Sequence, residues 1–70
     1  MKFTMRQARL YAGLTQHEVA KSLDIADLTY GKYERGENVI RVDQAYKFSD
    51  LVGIQMENID FFSKETIRNV

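Results

Sequence analysis

The side chains best suited to chemistry lie between Thr15 and Gly36, in the segment TQHEVAKSLDIADLTYGKYERG. Helical spacing within this segment predicts one outward face, which carries Asp27, Leu28, Gly31, Lys32 and Arg35, with Thr29 near its boundary. The candidates for base contacts on this face are Asp27, Leu28, Thr29 and Lys32. A carboxylate can accept a hydrogen bond from the amino group of cytosine, an ammonium can donate to guanine or to phosphate, and aliphatic groups can contact the thymine methyl. This combination predicts noncovalent recognition of base edges.

Two short amphipathic helices joined by a three-residue turn would position that face. Thr15, with Glu18 three residues later, is a capping box and predicts the start of the first of these helices. The turn is Asp24-Ile25-Ala26, and the second helix is predicted from about Asp27 to Arg35. Burial of the isoleucine would fix the angle between the helices. This spacing is typical of a helix-turn-helix, which presents its second helix to the major groove of DNA.

The remaining helices are predicted from caps and glycines. Thr4 and Gln7 form a capping box for a helix that runs to about Ala12. Two later helices are predicted at about Val42 to Val52 and Glu57 to Phe61. Three glycines fall where a helical pattern stops, as expected of left-handed residues that close helices. They are Gly13, Gly36 and Gly53.

No β-hairpin pattern competes with these helices, so the predicted fold is all-α, with five helices. The length of 70 residues allows one small domain. We expect this domain to span residues 1–62. Residues 63–70 have no strong pattern, and we expect them to form a disordered C-terminal tail.

Composition excludes several classes of protein. Without cysteine the chain has neither disulfides nor a thiolate metal site, and no apolar run approaches the roughly 20 residues that span a bilayer. His17 is the sole histidine, and no nucleophile or glycine-rich phosphate loop accompanies it. We therefore expect no catalytic activity, no bound metal ion and no cofactor. A cytoplasmic protein without membrane contact is predicted.

The charge is evenly balanced but unevenly distributed. Ten basic residues face ten acidic ones, whereas DNA-binding domains usually carry a basic excess. Residues 1–41 hold seven basic and five acidic residues, and the rest of the chain holds three and five. A DNA partner is therefore expected to meet the N-terminal half.

Several motifs at consistent spacings resemble the Cro/CI-type, XRE-family helix-turn-helix domains of phage repressors and related small bacterial regulators. The resemblance covers about residues 3–62 and implies the compact lambda-repressor-like fold, with helices 2 and 3 as the helix-turn-helix. Its motifs are Arg9 ahead of Gly13-Leu14-Thr15-Gln16, the run Gln16-His17-Glu18-Val19-Ala20, Tyr33-Glu34-Arg35-Gly36, and Asp50-Leu51-Val52-Gly53-Ile54 leading to Ile59.

The resemblance implies a mechanism and a structural pair. A symmetric dimer would bind a double-stranded operator at two half-sites one helical turn apart and act as a repressor-like transcription regulator. The family pairs an arginine of helix 1 with a glutamate at the end of the DNA-reading helix, which corresponds to Arg9 and Glu34. Gln16 matches a glutamine that can bond a phosphate and bridge to the DNA-reading helix.

Further side chains are candidates for phosphate contacts, although each could equally be a solvated surface group. The candidates, including the two at the start of helix 2, are Thr15, Gln16, Arg6, Arg35, Asn38 and Arg41. The acid at position 27 departs from the family, which usually carries a long polar or basic residue there. An acid in the first turn also stabilises the helix dipole, so base contact by Asp27 and a purely structural role both stay open.

A protein-binding module is the alternative function. A small protein with the repressor fold could act on another repressor or on a toxin, as a modulator, anti-repressor or antitoxin. Leu28, Phe61 and Phe62 favour this hypothesis, because two adjacent phenylalanines point in different directions and one can fill the core while the other stays available. The same phenylalanines could form the homodimer contact of an ordinary repressor.

Overall fold

Four α-helices and a short strand pair make up the part of the chain that the computed structural model describes, residues 2–62. In chain order the elements are β1 (Phe3–Thr4), α1 (Met5–Tyr11), α2 (Gln16–Leu23), α3 (Asp27–Arg35), α4 (Val42–Val52), a 3₁₀ turn (Met56–Asn58) and β2 (Ile59–Asp60). The predicted tail of residues 63–70 lies outside the described residues.

The first two helices begin at the predicted threonine caps. Thr4 Oγ1 accepts from the Gln7 amide at 3.0 Å, and Gln7 Oε1 accepts in return from the Thr4 amide at 2.9 Å. Thr15 and Glu18 make the same reciprocal pair at 3.1 and 2.8 Å. Each box satisfies two amides that a helix start would otherwise leave without partners, so both predictions are confirmed.

The helix ends lie where the sequence predicted them. The three glycines expected to close helices have φ of 76°, 76° and 72°. α2 ends at the predicted turn, where Asp24 is a non-glycine residue with φ 59° and ψ 46°. A left-handed residue with a Cβ is strained by roughly 1–2 kcal/mol. The turn residue Ile25 packs half-buried against the core, which fixes the angle between α2 and α3.

The prediction of a fifth helix at Glu57–Phe61 is wrong. The chain makes a three-residue 3₁₀ turn there, and β2 then pairs in parallel with β1, Phe3 opposite Ile59 and Thr4 opposite Asp60. A helix of one turn is costly to nucleate, whereas pairing with the N-terminal strand supplies hydrogen bonds and buries Ile59 to 3% exposure. The fold is therefore mainly helical, with one two-stranded sheet that the all-α prediction missed.

One apolar core lies between the helices. Its largest fully buried side chains are Val19, Leu23, Tyr30 and Phe48. Tyr30 stacks on Phe48 with ring centroids 6.3 Å apart, and Phe61 meets Phe48 edge-on at 6.0 Å. The next residue, Phe62, is 71% exposed. This agrees with the prediction that one of the two adjacent phenylalanines fills the core while the other stays available.

Candidate nucleic-acid interface

A buried ion pair ties α1 to the end of α3. Arg9 Nε donates to Glu34 Oε2 at 2.6 Å and Arg9 Nη2 to Glu34 Oε1 at 3.3 Å, while Nη1 donates to the carbonyl of Leu14 at 3.0 Å. The two side chains are only 10% and 4% exposed. The structure thus contains the Arg9–Glu34 pair that the family resemblance implied, in the two-pronged geometry that guanidinium and carboxylate favour.

Gln16 extends this pair to the start of α2. Its Nε2 donates to Glu34 Oε1 at 3.0 Å, so that one carboxylate holds side chains from α1 and α2. This is the predicted bridge from Gln16 to the DNA-reading helix. The phosphate contact predicted for the same amide needs DNA and stays a prediction. We call these three residues, Arg9, Gln16 and Glu34, the carboxylate network.

The electrostatics of the carboxylate network favour its charged form. Burial by itself would raise the pKa of Glu34, but the hydrogen bonds from Arg9 and Gln16, together with the nearby Tyr30 hydroxyl, outweigh burial and hold that pKa below its usual value. The Glu34 carboxylate in turn raises the pKa of Arg9. Burial, with the nearby Glu34 charge, raises the pKa of Tyr30, so this phenol stays neutral at physiological pH. The Tyr30 hydroxyl has no hydrogen bond of good geometry and relies on this close electrostatic contact.

α3 presents its outer face as predicted, with one exception. Leu28 is 67% exposed, Asp27 is exposed, and Thr29 and Lys32 are half-buried. We call these four residues the outer face of α3. Gly31, which was also expected to be open, is buried, because the side chains of Arg35 and Gln16 lie close to it. A Cβ placed there would lie 3.2 Å from Arg35 Nη1 and 4.0 Å from Gln16 Oε1.

Asp27 has a partner that the sequence analysis missed. Nδ1 of His17 lies 3.0 Å from each oxygen of the Asp27 carboxylate, and the two side chains are 70% and 60% exposed. The contact joins the first turns of α2 and α3. The only signal in the sequence was the location of a histidine and an acid in these two first turns, which alone does not fix their distance.

The phosphate candidates lie at the surface, and two of the arginines contact acids close by in the chain. Arg35 Nε donates to Glu37 at 2.8 Å, and Arg41 Nη2 donates to Asp43 at 3.3 Å. The hydrogen bond with Glu37 raises the pKa of Arg35 and lowers that of Glu37. An arginine followed two residues later by an acid was the unused sequence signal for both pairs. The other candidates are also exposed, namely Arg6, Thr15, Gln16 and Asn38.

No group of three or more His, Cys, Asp or Glu side chains among residues 2–62 is placed to hold a metal ion. None of the described helices is both long enough and apolar enough to cross a membrane. A shallow hollow lined by Ser49, Asp50, Gly53, Ile54 and Gln55 carries no cluster of chemically active groups.

Comparison with known proteins agrees with this geometry. A helix-turn-helix family model matches residues 5–59, which is more than half of the chain. The comparisons with curated proteins and with solved structures gave no match. The matched range begins with α1, contains all four helices and ends in β2. The chain belongs to the Cro/CI-type, XRE-family helix-turn-helix proteins, which are DNA-binding transcription regulators.

Proposed function

We propose that this protein is a sequence-specific, repressor-like regulator that places α3 in the major groove of its operator. One observation carries the proposal: the outer face of α3 is exposed on a helix whose orientation the buried carboxylate network fixes. Recognition of bases requires side chains that are held close to their bound geometry before binding. A rigid helix with polar and apolar groups on its open side meets that requirement.

Side chains on the outer face of α3 and at the start of α2 have roles that follow from their chemistry. Leu28, at 67% exposure, can contact a thymine methyl, and Lys32 can donate to guanine or to a phosphate. At the start of α2, Thr15 uses its hydroxyl as a cap, so its contribution to DNA binding is made through the positive helix end. Gln16 Nε2 has a second hydrogen beyond the one given to Glu34, and that hydrogen can be donated to a phosphate.

The phosphate contacts compete with carboxylates already on the protein. Arg35 and Arg41 must exchange Glu37 and Asp43 for phosphate oxygens when DNA binds. The formal charge of zero gives no general attraction to the duplex. We therefore expect weak binding to unrelated DNA, with affinity that depends on the fit of the outer face of α3.

A dimer would use the apolar surface left at the end of β2. Phe61 is occupied by its contact with Phe48, whereas Phe62 is 71% exposed and can pack against a second copy. Two copies would then present two α3 helices to half-sites one helical turn apart. Sedimentation equilibrium of the wild type and Phe62→Ala, with and without operator, measures this directly. Equal association by both proteins would rule out Phe62 as the contact.

DNA binding is tested by fluorescence anisotropy with the duplex that flanks the protein's own gene and a scrambled duplex, over a range of salt concentrations. We expect tighter, salt-sensitive binding to the native duplex, since neutralised phosphates release counterions. Two variants with the same change in net charge locate the surface: Lys32→Glu on α3 should abolish binding, while Lys47→Glu on the exposed side of α4 should weaken it only slightly. Equal losses would argue against α3 as the DNA-reading helix.

A protein-binding module is kept as the second candidate because of two exposed side chains. Leu28 and Phe62 are 67% and 71% exposed, and large apolar groups at a surface can mark contacts with another protein. If neither duplex binds at low salt, this candidate is favoured, and a pull-down for a repressor or toxin partner follows. Specific DNA binding that Leu28→Ala weakens would instead assign Leu28 to the operator.

A further inference from the structure

The contact between His17 and Asp27 places an imidazole hydrogen-bond donor beside the acid of the outer face of α3. A carboxylate only accepts hydrogen bonds, so the proton of this contact lies on Nδ1 of His17. The two oxygens of Asp27 are equally distant from Nδ1, at 3.0 Å. The imidazole therefore restrains the Asp27 carboxylate at the N-terminal end of α3.

The surroundings of His17 leave Asp27 as its direct charged partner within the described residues. Asp27 is the charged group that faces it from α3. On its own helix, the adjacent Glu18 has its carboxylate engaged by the Thr15 amide, and Lys21 lies one turn further on.

We propose that His17 is a specificity-positioning residue for DNA recognition, which holds the Asp27 carboxylate as an acceptor for a cytosine amino group. The inference rests on the DNA binding proposed above. An isolated carboxylate near the duplex is repelled by phosphates, and a hydrogen bond from the imidazole N–H offsets part of that repulsion. The pair thus allows an acid to serve in a position where it would otherwise weaken binding.

One consequence distinguishes positioning from a merely structural contact. Cytosine should be preferred at one position of each half-site, because Asp27 accepts from its amino group. This preference should be lost when the imidazole no longer holds the carboxylate, while contacts at the other positions are kept.

The test selects binding sites from a pool of randomised duplexes and then measures affinity for the selected site by anisotropy. Wild type is compared with Asp27→Asn, His17→Ala and His17→Gln, after circular dichroism has confirmed folding. We expect Asp27→Asn and His17→Ala to lose the cytosine preference at the same position. His17→Gln can still donate to Asp27, so it should keep the preference. Asp50→Asn, which removes an exposed carboxylate of α4, is the matched control and should also keep it.

The outcomes separate this inference from the proposed function. If the wild type selects no duplex, the proposed function fails, and this inference fails with it. If the wild type selects a site but the base preference survives in Asp27→Asn and His17→Ala, only the inference is overturned. A uniform loss of affinity at all positions in His17→Ala would likewise overturn it, because that pattern indicates a structural contact without a role in reading bases.

Discussion

Removal of the Arg9 side chain should destabilise the protein severely, because it leaves a buried carboxylate without its cation. The Glu34 side chain is 4% exposed, and Arg9→Ala removes both hydrogen bonds that Arg9 gives it, as well as the one to Leu14. Breaking a buried pair by deleting one partner costs about 3–5 kcal/mol. For a domain of this length the free energy of unfolding is expected to be only about 4–10 kcal/mol.

The assay is chemical and thermal unfolding followed by circular dichroism. We expect Arg9→Ala to lower Tm by at least about 12 °C, since 1 kcal/mol corresponds to about 4–8 °C in a domain of this size. Arg6→Ala, an exposed arginine on the same helix, is the matched control and should stay within about 0.5 kcal/mol of wild type. The double variant Arg9→Met/Glu34→Leu removes both charges and should lie much closer to wild type than Arg9→Ala, because no unpaired charge is left buried.

The sign of the pH dependence gives a second, independent check. In the wild type the pKa of Glu34 is lowered by its partners despite burial, so its contribution is present above the pKa of the unfolded chain and is lost as pH falls through the lower folded value. In Arg9→Ala burial dominates and favours the protonated acid, so acidification should reduce the destabilisation. Equal losses in Arg9→Ala and the double variant, or a loss in Arg9→Ala that does not depend on pH, would refute the reasoning.

Three further predictions concern the turn and α3. Asp24→Gly should raise stability by about 0.5–1 kcal/mol, because relief of the left-handed strain at φ 59° exceeds the entropy cost of glycine; a lower Tm than wild type would contradict this. Gly31→Ala should stabilise α3 by up to about 1 kcal/mol, because alanine has the higher helix propensity and the atom that the new Cβ meets is the flexible end of Arg35. A lower Tm in thermal melts would contradict this and show that the Arg35 side chain does not move aside. If Lys32 contacts a base, Lys32→Ala should weaken operator binding by about 1–3 kcal/mol and relax one base preference; if it contacts a phosphate, the slope of affinity against salt should fall by about one. Unchanged binding in the anisotropy assay would exclude both contacts. Lys47→Ala is the control.

The sequence by itself determined the features that depend on neighbours within a turn or two of helix. Both threonine capping boxes, the positive φ of the closing glycines and the bounds of α2, α3 and α4 follow from local hydrogen bonding and helical periodicity. The Arg9–Glu34 pair was predicted from the resemblance to the family, because its partners lie far apart in sequence and no local pattern joins them.

Only the tertiary structure decided the contacts that bring distant segments together. The pairing of Phe3–Thr4 with Ile59–Asp60 replaced the predicted last helix, because the strand partner lies at the other end of the chain. Packing of α2 against α3 brought His17 within 3.0 Å of Asp27 and placed the side chain of Gln16 near Gly31. Such contacts depend on the angle and offset between whole elements, and the core sets these through the packing of all its side chains at once.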